Sequence, residues 1–190
     1  MLPHEVAAAL TPSVREAPSR PGDAGAVLPV APRERTTEDL VLEIAAHHAQ
    51  ERRALPYVVA LLARAAGCHR GRNAKLAVLC DVGQELADVL EAHADDAARE
   101  LFPALLAAAT APDPARAAAA RVRRQHRAMT LLLARIRWLA DDFAVPVWAG
   151  RAYQALMEEL EALEDDVVAH LHLEDHFLLP RFSPGPERPC

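Results

Sequence analysis

The sequence has few aromatic residues and few glycines. Aromatic residues make up 4% of the 190 residues, and glycine occurs at 7 positions. Alanine, leucine, arginine and glutamate dominate instead, and these residues favour helices. About half of the residues, 52%, are apolar, which is typical of a globular chain rather than a disordered one. We therefore predict an all-α protein with one substantial core.

Cysteine is also scarce, and long apolar runs are absent. The three cysteines, Cys68, Cys80 and Cys190, are odd in number and irregular in spacing, which does not suggest a disulfide framework. Such cysteine usage fits a reducing compartment. No segment has the length of a membrane-spanning helix without charges. The first residues lack the apolar run of a signal peptide. We expect a cytoplasmic protein with no membrane partner.

Basic residues do not accumulate on any one segment. The formal net charge is −6. The basic residues are dispersed apart from a short run at Arg121, Arg123 and Arg124. Because a nucleic-acid surface needs a basic patch, we expect no nucleic-acid partner.

Proline divides the chain into three parts. Residues 1–35 and 183–190 are rich in proline, and we predict that both are flexible segments. The middle part, 36–182, contains four long helical segments with short connections, which predicts an up-down-up-down four-helix bundle. We place the helices at about Thr37–Ala66, Asn73–Ala109, Pro114–Asp142 and Ala149–Leu179.

Glycine and proline also suggest where these helices begin, bend and end. Gly67 is expected to end the first helix. Asp113 is expected to cap the third, with Pro114 at its first helical position. Pro180 is expected to close the fourth. Pro56 and Pro103 lie inside the first two helices, and each should kink or locally break its helix.

Each predicted helix has an apolar stripe with helical spacing, and one histidine lies on each stripe. In the first helix the register selects His48 over His47, which falls on a more polar face. The four stripes and their histidines are Val41, Ile44, Leu55, Val59 and Leu62 with His48; Val82, Leu86, Val89 and Leu90 with His93; Val122, Met129 and Leu133 with His126; and Leu156, Leu163, Val167 and Phe177 with His170.

The four histidines should also lie at one level of the bundle. Their distances from the connecting turns agree to within about one helical turn, at roughly 1.5 Å per residue. The alternative is four separate core histidines satisfied by hydrogen bonds. Without a shared partner, several buried nitrogens would stay unpaired, each at a cost of about 1–3 kcal/mol. A metal ion removes that cost, so we predict a metal site.

Glu174 lies four residues after His170 and on the same helical face. An imidazole set with a carboxylate suits iron, and no cysteine lies near this level, which disfavours a structural zinc site. The predicted metal ligands are therefore His48, His93, His126, His170 and Glu174, and the predicted cofactor is iron.

The same residues resemble the hemerythrin-like family, whose HHE domains bind cations. The most specific segment is the run from His170 through Glu174 to Pro180 and Arg181. His47-His48 with Leu55-Pro56, His93 with Leu101-Phe102-Pro103, and His126 carry the rest. Within the family, the sequence is most similar to the di-iron proteins that repair iron centres under nitrosative and oxidative stress. The resemblance implies the same ligand set, and it covers residues 37–182.

The sequence departs from this family pattern in two places. The pattern on the second helix is His-x-x-x-Glu, which places a bridging carboxylate at position 97, but this chain has Ala97. Asp96 or Glu100 could substitute, so both a di-iron and a mononuclear centre remain open. Repair proteins of this group often begin with a small domain bearing a Cys-Cys pair, and residues 1–35 contain no cysteine.

Two functions follow as expectations. The first is repair of iron–sulfur clusters, with damaged iron–sulfur proteins as partners and iron supply or nitric oxide handling as the chemistry. The alternative is an O2- or NO-binding or sensing module with an incomplete iron site. A degenerate member with a structural or regulatory role is a third reading. No nucleophile or general-base constellation is visible outside the metal ligands, so whether the protein is an enzyme stays open.

The remaining histidines are expected to lie outside the site. His69, beside Cys68, should be a surface loop residue about 30 Å from His48 along a continuous helix. His47 could support the site from outside the ligand set, but an exposed position is expected for it. His172 should be exposed, and His176 should at most border the site. The roles of His69 and Cys68 and the oligomeric state are left open.

Overall fold

The computed structural model describes residues 35–109 and 111–182, and all regular structure within these ranges is helical. The predicted flexible segments 1–35 and 183–190 lie outside them, apart from Arg35. The described residues form five α-helices, α1 (Thr37–His69), α2 (Lys75–Asp96), α3 (Phe102–Leu106), α4 (Pro112–Leu139) and α5 (Arg151–Leu173). Ala97–Leu101 and Glu174–Leu178 are π-helical, and Leu179–Phe182 is a 3-10 turn.

The predicted all-α four-helix bundle is confirmed. Helix α1 packs against α2 and α5, and α2 packs against α4. The second long helix of the sequence is α2, a π-helical segment and α3 in succession. Short connections join consecutive long helices, so neighbours run antiparallel.

The helix ends differ from the predictions at several residues. Helix α1 begins with a capping box, in which Thr36 and Asp39 bond each other's backbone N–H groups. Gly67 does not end α1, which continues to His69, because a glycine inside a helix costs only about 1 kcal/mol. Asp113 does not cap α4, since that helix already begins at Pro112 and makes no side-chain cap bond. At the other end α4 stops at Leu139, earlier than predicted.

The two internal prolines have different outcomes. Helix α1 continues through Pro56 without a break. Pro103 lies in the first turn of α3, just after the π-helical segment Ala97–Leu101, so the helix is interrupted there as predicted. The backbone N–H of Phe102 bonds the carbonyl oxygen of Ala97, five residues earlier, whereas Pro103 has no N–H to continue this pattern. The last α-helix ends at Leu173, earlier than predicted, and the π-helical and 3-10 segments continue the helical backbone through Pro180 to Phe182.

Two apolar clusters fill the bundle, one on each side of a buried polar layer. The first cluster includes Leu62, Leu86 and Leu156, towards the α1–α2 turn. The second includes Ile44, Ala97 and Leu101, towards α3. Most predicted stripe residues are buried, and Val59, Val89 and Phe177 are half-buried at the edges. The polar layer between the clusters contains the histidines predicted from the sequence.

Gly83 allows α1 and α2 to approach closely. A Cβ atom at this position would lie 2.3 Å from Cδ1 of Leu62, and the Leu62 side chain is fully buried. We predict that Gly83→Ala lowers the free energy of unfolding by about 1 kcal/mol. The cost of overpacking, about 1–3 kcal/mol, exceeds the helix gain of about 0.5–1 kcal/mol. Urea unfolding followed by circular dichroism measures the difference.

Gly67 provides the matched control for this prediction. It also lies inside an α-helix, but a Cβ atom there would meet nothing within 4 Å. Gly67→Ala should therefore stabilise the protein by about 0.5–1 kcal/mol. If Gly83→Ala stabilised the protein as much as Gly67→Ala does, the proposed close contact between α1 and α2 would be wrong.

Candidate metal centre

One histidine from each long helix enters the polar layer. His48 lies on α1, His93 on α2, His126 on α4 and His170 on α5. Their residue exposures are 5%, 0%, 3% and 0%, and that of Glu174 is 0%. Glu174 is the first residue of the π-helical segment that follows α5. The structure thus brings together all five residues that the sequence analysis selected.

The imidazole rings pack closely against one another. The ring centroids of His48 lie 4.9 Å from those of both His93 and His170. His93 and His126 have centroids 5.2 Å apart. Two groups of three residues have ligand atoms within 4.8 Å of one another, and His93 belongs to both. The groups are His48, His93 and His170, and His93, His126 and Glu174.

The Nε2 atoms of these histidines have no hydrogen-bond partner. All four, from His48, His93, His126 and His170, are buried and unpaired, and so are both carboxylate oxygens of Glu174. Glu174 Oε2 lies 2.6 Å from Nε2 of His126 and 3.4 Å from Nε2 of His93, without the geometry of a hydrogen bond. Unpaired buried polar atoms each cost about 1–3 kcal/mol. The donor set therefore fits a metal ion that these atoms would share.

The opposite nitrogen, Nδ1, is held by a polar side chain in His93, His126 and His170. Nδ1–H of His126 donates to Asp175 Oδ1 over 2.9 Å. Nδ1–H of His93 donates to Gln125 Oε1 over 3.2 Å, and Gln125 Nε2–H donates to Asp96 Oδ2 over 2.8 Å. A donating Nδ1 leaves the lone pair on Nε2, which is the arrangement that metal-binding histidines require.

Glu51 is part of the layer, and the sequence analysis missed it. It is 2% exposed, and its Oε1 pairs with Nδ1 of His170. Burial, and next the nearby Asp166 carboxylate, raises the pKa of Glu51 to about 8. A cation at the Nε2 side of His170 would favour the ionised form. The signal was present in the sequence, since Glu51 continues the α1 stripe between His48 and Leu55.

Burial keeps two of the histidines neutral. It lowers the pKa of His48 and of His170 to about 3, and in each case Glu174 opposes the effect. Because only a neutral imidazole can bind a metal ion, both side chains are in the binding form at neutral pH.

His126 and Glu174 each favour the charged form of the other, so the pKa of His126 is raised and that of Glu174 is lowered. Burial alone would lower the pKa of His126, but the hydrogen bond to Asp175 and the negative charge of Glu174 beside Nε2 outweigh it and raise this pKa to about 9. Burial would raise the pKa of Glu174, but His126 and His93 hold it below its usual value. A proton and a metal ion would therefore compete for Nε2 of His126.

Comparison with known families bears directly on this geometry. The family model of the hemerythrin HHE cation-binding domain matches residues 57–182, about two thirds of the chain. The chain belongs to the hemerythrin HHE family. No curated protein matches the sequence. The matched region contains four of the five converging residues, and His48 lies just before it.

This hemerythrin-family protein has no carboxylate at position 97, where the family pattern described above places a bridging one. Ala97 is fully buried within the second apolar cluster. Asp96 accepts the hydrogen bond from Gln125 and so supports His93 indirectly. Glu100 is exposed and pairs with Arg121. Neither substitute considered from the sequence has its carboxylate in the converging groups.

The other histidines lie outside the converging groups. His47 is half-buried, not exposed as predicted, and its Nδ1–H donates to Asp166 Oδ1 over 2.6 Å. His69 is the last residue of α1 rather than a loop residue, and it packs against Trp148 and Tyr153. His172 is exposed as predicted, and His176 is exposed as well.

None of the helices in the described part of this hemerythrin-family chain is both long and apolar enough to cross a membrane.

Proposed function

We propose that this hemerythrin-family protein binds iron through His48, His93, His126, His170 and Glu174. The observation that carries the proposal is the set of unpaired buried ligand atoms, four Nε2 and two carboxylate oxygens, contributed by all four long helices. Imidazole with carboxylate suits iron. A structural zinc site would favour cysteine ligands, and neither Cys68 nor Cys80 belongs to the converging groups.

We further propose that one iron is bound tightly. The two groups of ligand atoms share His93. Because its single Nε2 lone pair binds one ion at a time, both positions cannot have three protein ligands at once. Ala97 provides no bridging carboxylate, so a second ion at the same layer would be held weakly.

The iron content of the purified protein tests whether one iron is bound tightly. Protein purified from iron-supplemented cells should contain about one iron per chain after desalting, and Ala97→Glu should raise the count towards about two. Ala97→Gln is the matched control, because it adds the same volume without the charge and should leave the count unchanged. Elemental analysis measures both. No bound iron in the wild-type protein would reject the metal centre, and two irons would reject the single-ion proposal.

The biological role that we propose is repair of iron–sulfur clusters damaged by oxidative or nitrosative stress. Iron in this layer would supply reversible O2 or NO binding and redox chemistry. The support is the similarity of the run from His170 to Arg181 to repair proteins, together with the weak second position, which favours release of iron. The protein itself orients the ligands through Glu51, Gln125 and Asp175 and excludes water with two apolar clusters.

An O2- or NO-binding or sensing role is the second candidate. One specific observation favours it, which is that Glu174 is the sole carboxylate among the converging ligand atoms of the described residues. A centre with few protein ligands keeps coordination positions open for a small ligand.

The two roles differ in a reconstitution assay. Iron-loaded protein is added to an enzyme whose iron–sulfur cluster has been damaged by nitric oxide, and recovery of that enzyme's activity is followed. The metal-free protein plus free iron is the control. Recovery above this control supports repair. No recovery, together with an absorption change when NO or O2 is added, would reject repair and support sensing.

A further inference from the structure

A pair of histidines lies on the outer surface of the bundle beside the core layer. His172 and His176 are four residues apart and exposed, and their ring centroids lie 4.4 Å apart in a stacked arrangement. Two histidines at this spacing share one helical face and can bind one metal ion together. They are not among the converging core residues.

A hydrogen bond to the backbone selects the tautomer of one of these rings. Nδ1–H of His176 donates to the carbonyl oxygen of His172 over 3.2 Å. With Nδ1 protonated, a neutral His176 carries its lone pair on Nε2, which is available to a metal ion. Neither ring is buried, so binding would not require the surrounding core to rearrange.

The surface around the pair connects to the core layer through Asp175. A cavity of about 410 Å³ is lined by both histidines and by Asp175. A second cavity of about 510 Å³ is lined by Asp175 and by the core residue His126. Asp175 therefore borders both cavities, and its Oδ1 accepts the Nδ1–H of His126.

Another polar cavity, of about 600 Å³, is lined by Arg52, Asp88, Glu91 and Asp95 but by none of the core histidines. Apolar clusters close the layer on two sides, and the core histidines are at most 5% exposed. Arginines line both of the cavities that Asp175 borders, Arg123 and Arg127 in the second and Arg137, which pairs with Glu164, in the first. The side with His172 and His176 combines two exposed imidazoles with Asp175, the carboxylate that bonds the core residue His126.

We propose that His172 and His176 form an exterior site for a divalent transition-metal ion, and that this site feeds the core layer past Asp175. The ion, such as Fe2+, binds first to the two exposed imidazoles with water as the remaining ligands. It then exchanges to Asp175 and to the core ligands His126 and Glu174. The exterior site stands on its own, whereas the feeding role rests on the proposed core centre.

The first experiment tests the exterior site alone. Ni2+ is titrated calorimetrically into the full chain carrying His93→Ala, which disables the core layer. We expect about one Ni2+ per chain and none when His172→Ala and His176→Ala are added. The matched control replaces another exposed pair four residues apart on α5, Gln154 and Glu158, with alanine. Unchanged Ni2+ binding without the two histidines would overturn the exterior site.

The second experiment tests the feeding role in the otherwise native chain. Co2+ is mixed with chelator-stripped protein, and its visible absorption reports filling of the core layer. The double variant His172→Ala/His176→Ala should load about tenfold more slowly, at the low end of rate gains from local ion capture. The final absorption of cobalt in the core layer should equal that of the wild type. An unchanged rate would overturn the feeding role, and failure of every protein to fill the core would reject the core centre instead.

Discussion

Replacing His93 with alanine is expected to abolish iron binding. His93 belongs to both groups of converging ligand atoms, and its Nε2 is buried without a hydrogen-bond partner. With iron at about 1,000 times its dissociation constant, binding would add about 4 kcal/mol to the free energy of unfolding. The wild type should lose this increment when a strong chelator is added, and His93→Ala should show no chelator effect. Elemental analysis and urea unfolding measure the two quantities.

A histidine far from the layer serves as the control for this variant. His69 lies at the end of α1, 21 residues after His48, or about 30 Å along the helix. His69→Gln should keep its iron and its chelator effect. Wild-type iron content in His93→Ala would contradict the ligand assignment, whatever the variant's stability.

Glu51→Ala is expected to weaken iron binding by about 10–100-fold without abolishing it. Glu51 bonds to Nδ1 of His170 and so orients the ring and raises its basicity, and removing such outer partners of metal ligands typically has this effect. The measurement is competition for iron against a chelator of known affinity, analysed as a dissociation constant.

The matched variant separates charge from geometry. Glu51→Gln keeps an oxygen that can accept from Nδ1–H of His170 but lacks the negative charge. Its iron affinity should fall between those of the wild type and Glu51→Ala. Equal affinity in all three proteins would mean that Glu51 only fills space in the layer, and the orienting role would be abandoned.

The sequence predicted the fold and the convergence of five residues well, because both depend on helical periodicity. A helix with an apolar stripe must bury that stripe, and a histidine on the stripe is buried with it. This reasoning selected His48 over its neighbour His47, and the structure has His48 inside the layer and His47 at its edge. Similar distances from the turns then placed the residues at one level. Their role as iron ligands stays a prediction that the variants above test.

The predictions that were wrong concern details that depend on contacts between distant residues. Gly67 looked like a helix end, but α1 packs on α2 and α5 and continues past it. Glu51 was overlooked because a charged residue on an apolar stripe has no evident partner within its own helix. Its partner, His170, is 119 residues away. His47 was expected to be exposed because its contact, Asp166, is equally distant in sequence.

The sequence by itself determined that four amphipathic helices carry one histidine each into a shared core, with Glu174 one turn after His170. Local periodicity is sufficient for that result. Only the tertiary structure decided which polar groups hold the Nδ1 atoms, and therefore which Nε2 atoms are left for a metal ion. Glu51, Gln125 and Asp175 take that role. The physical reason is that a hydrogen bond between helices depends on their packing distance and rotation, and no single helix encodes either one.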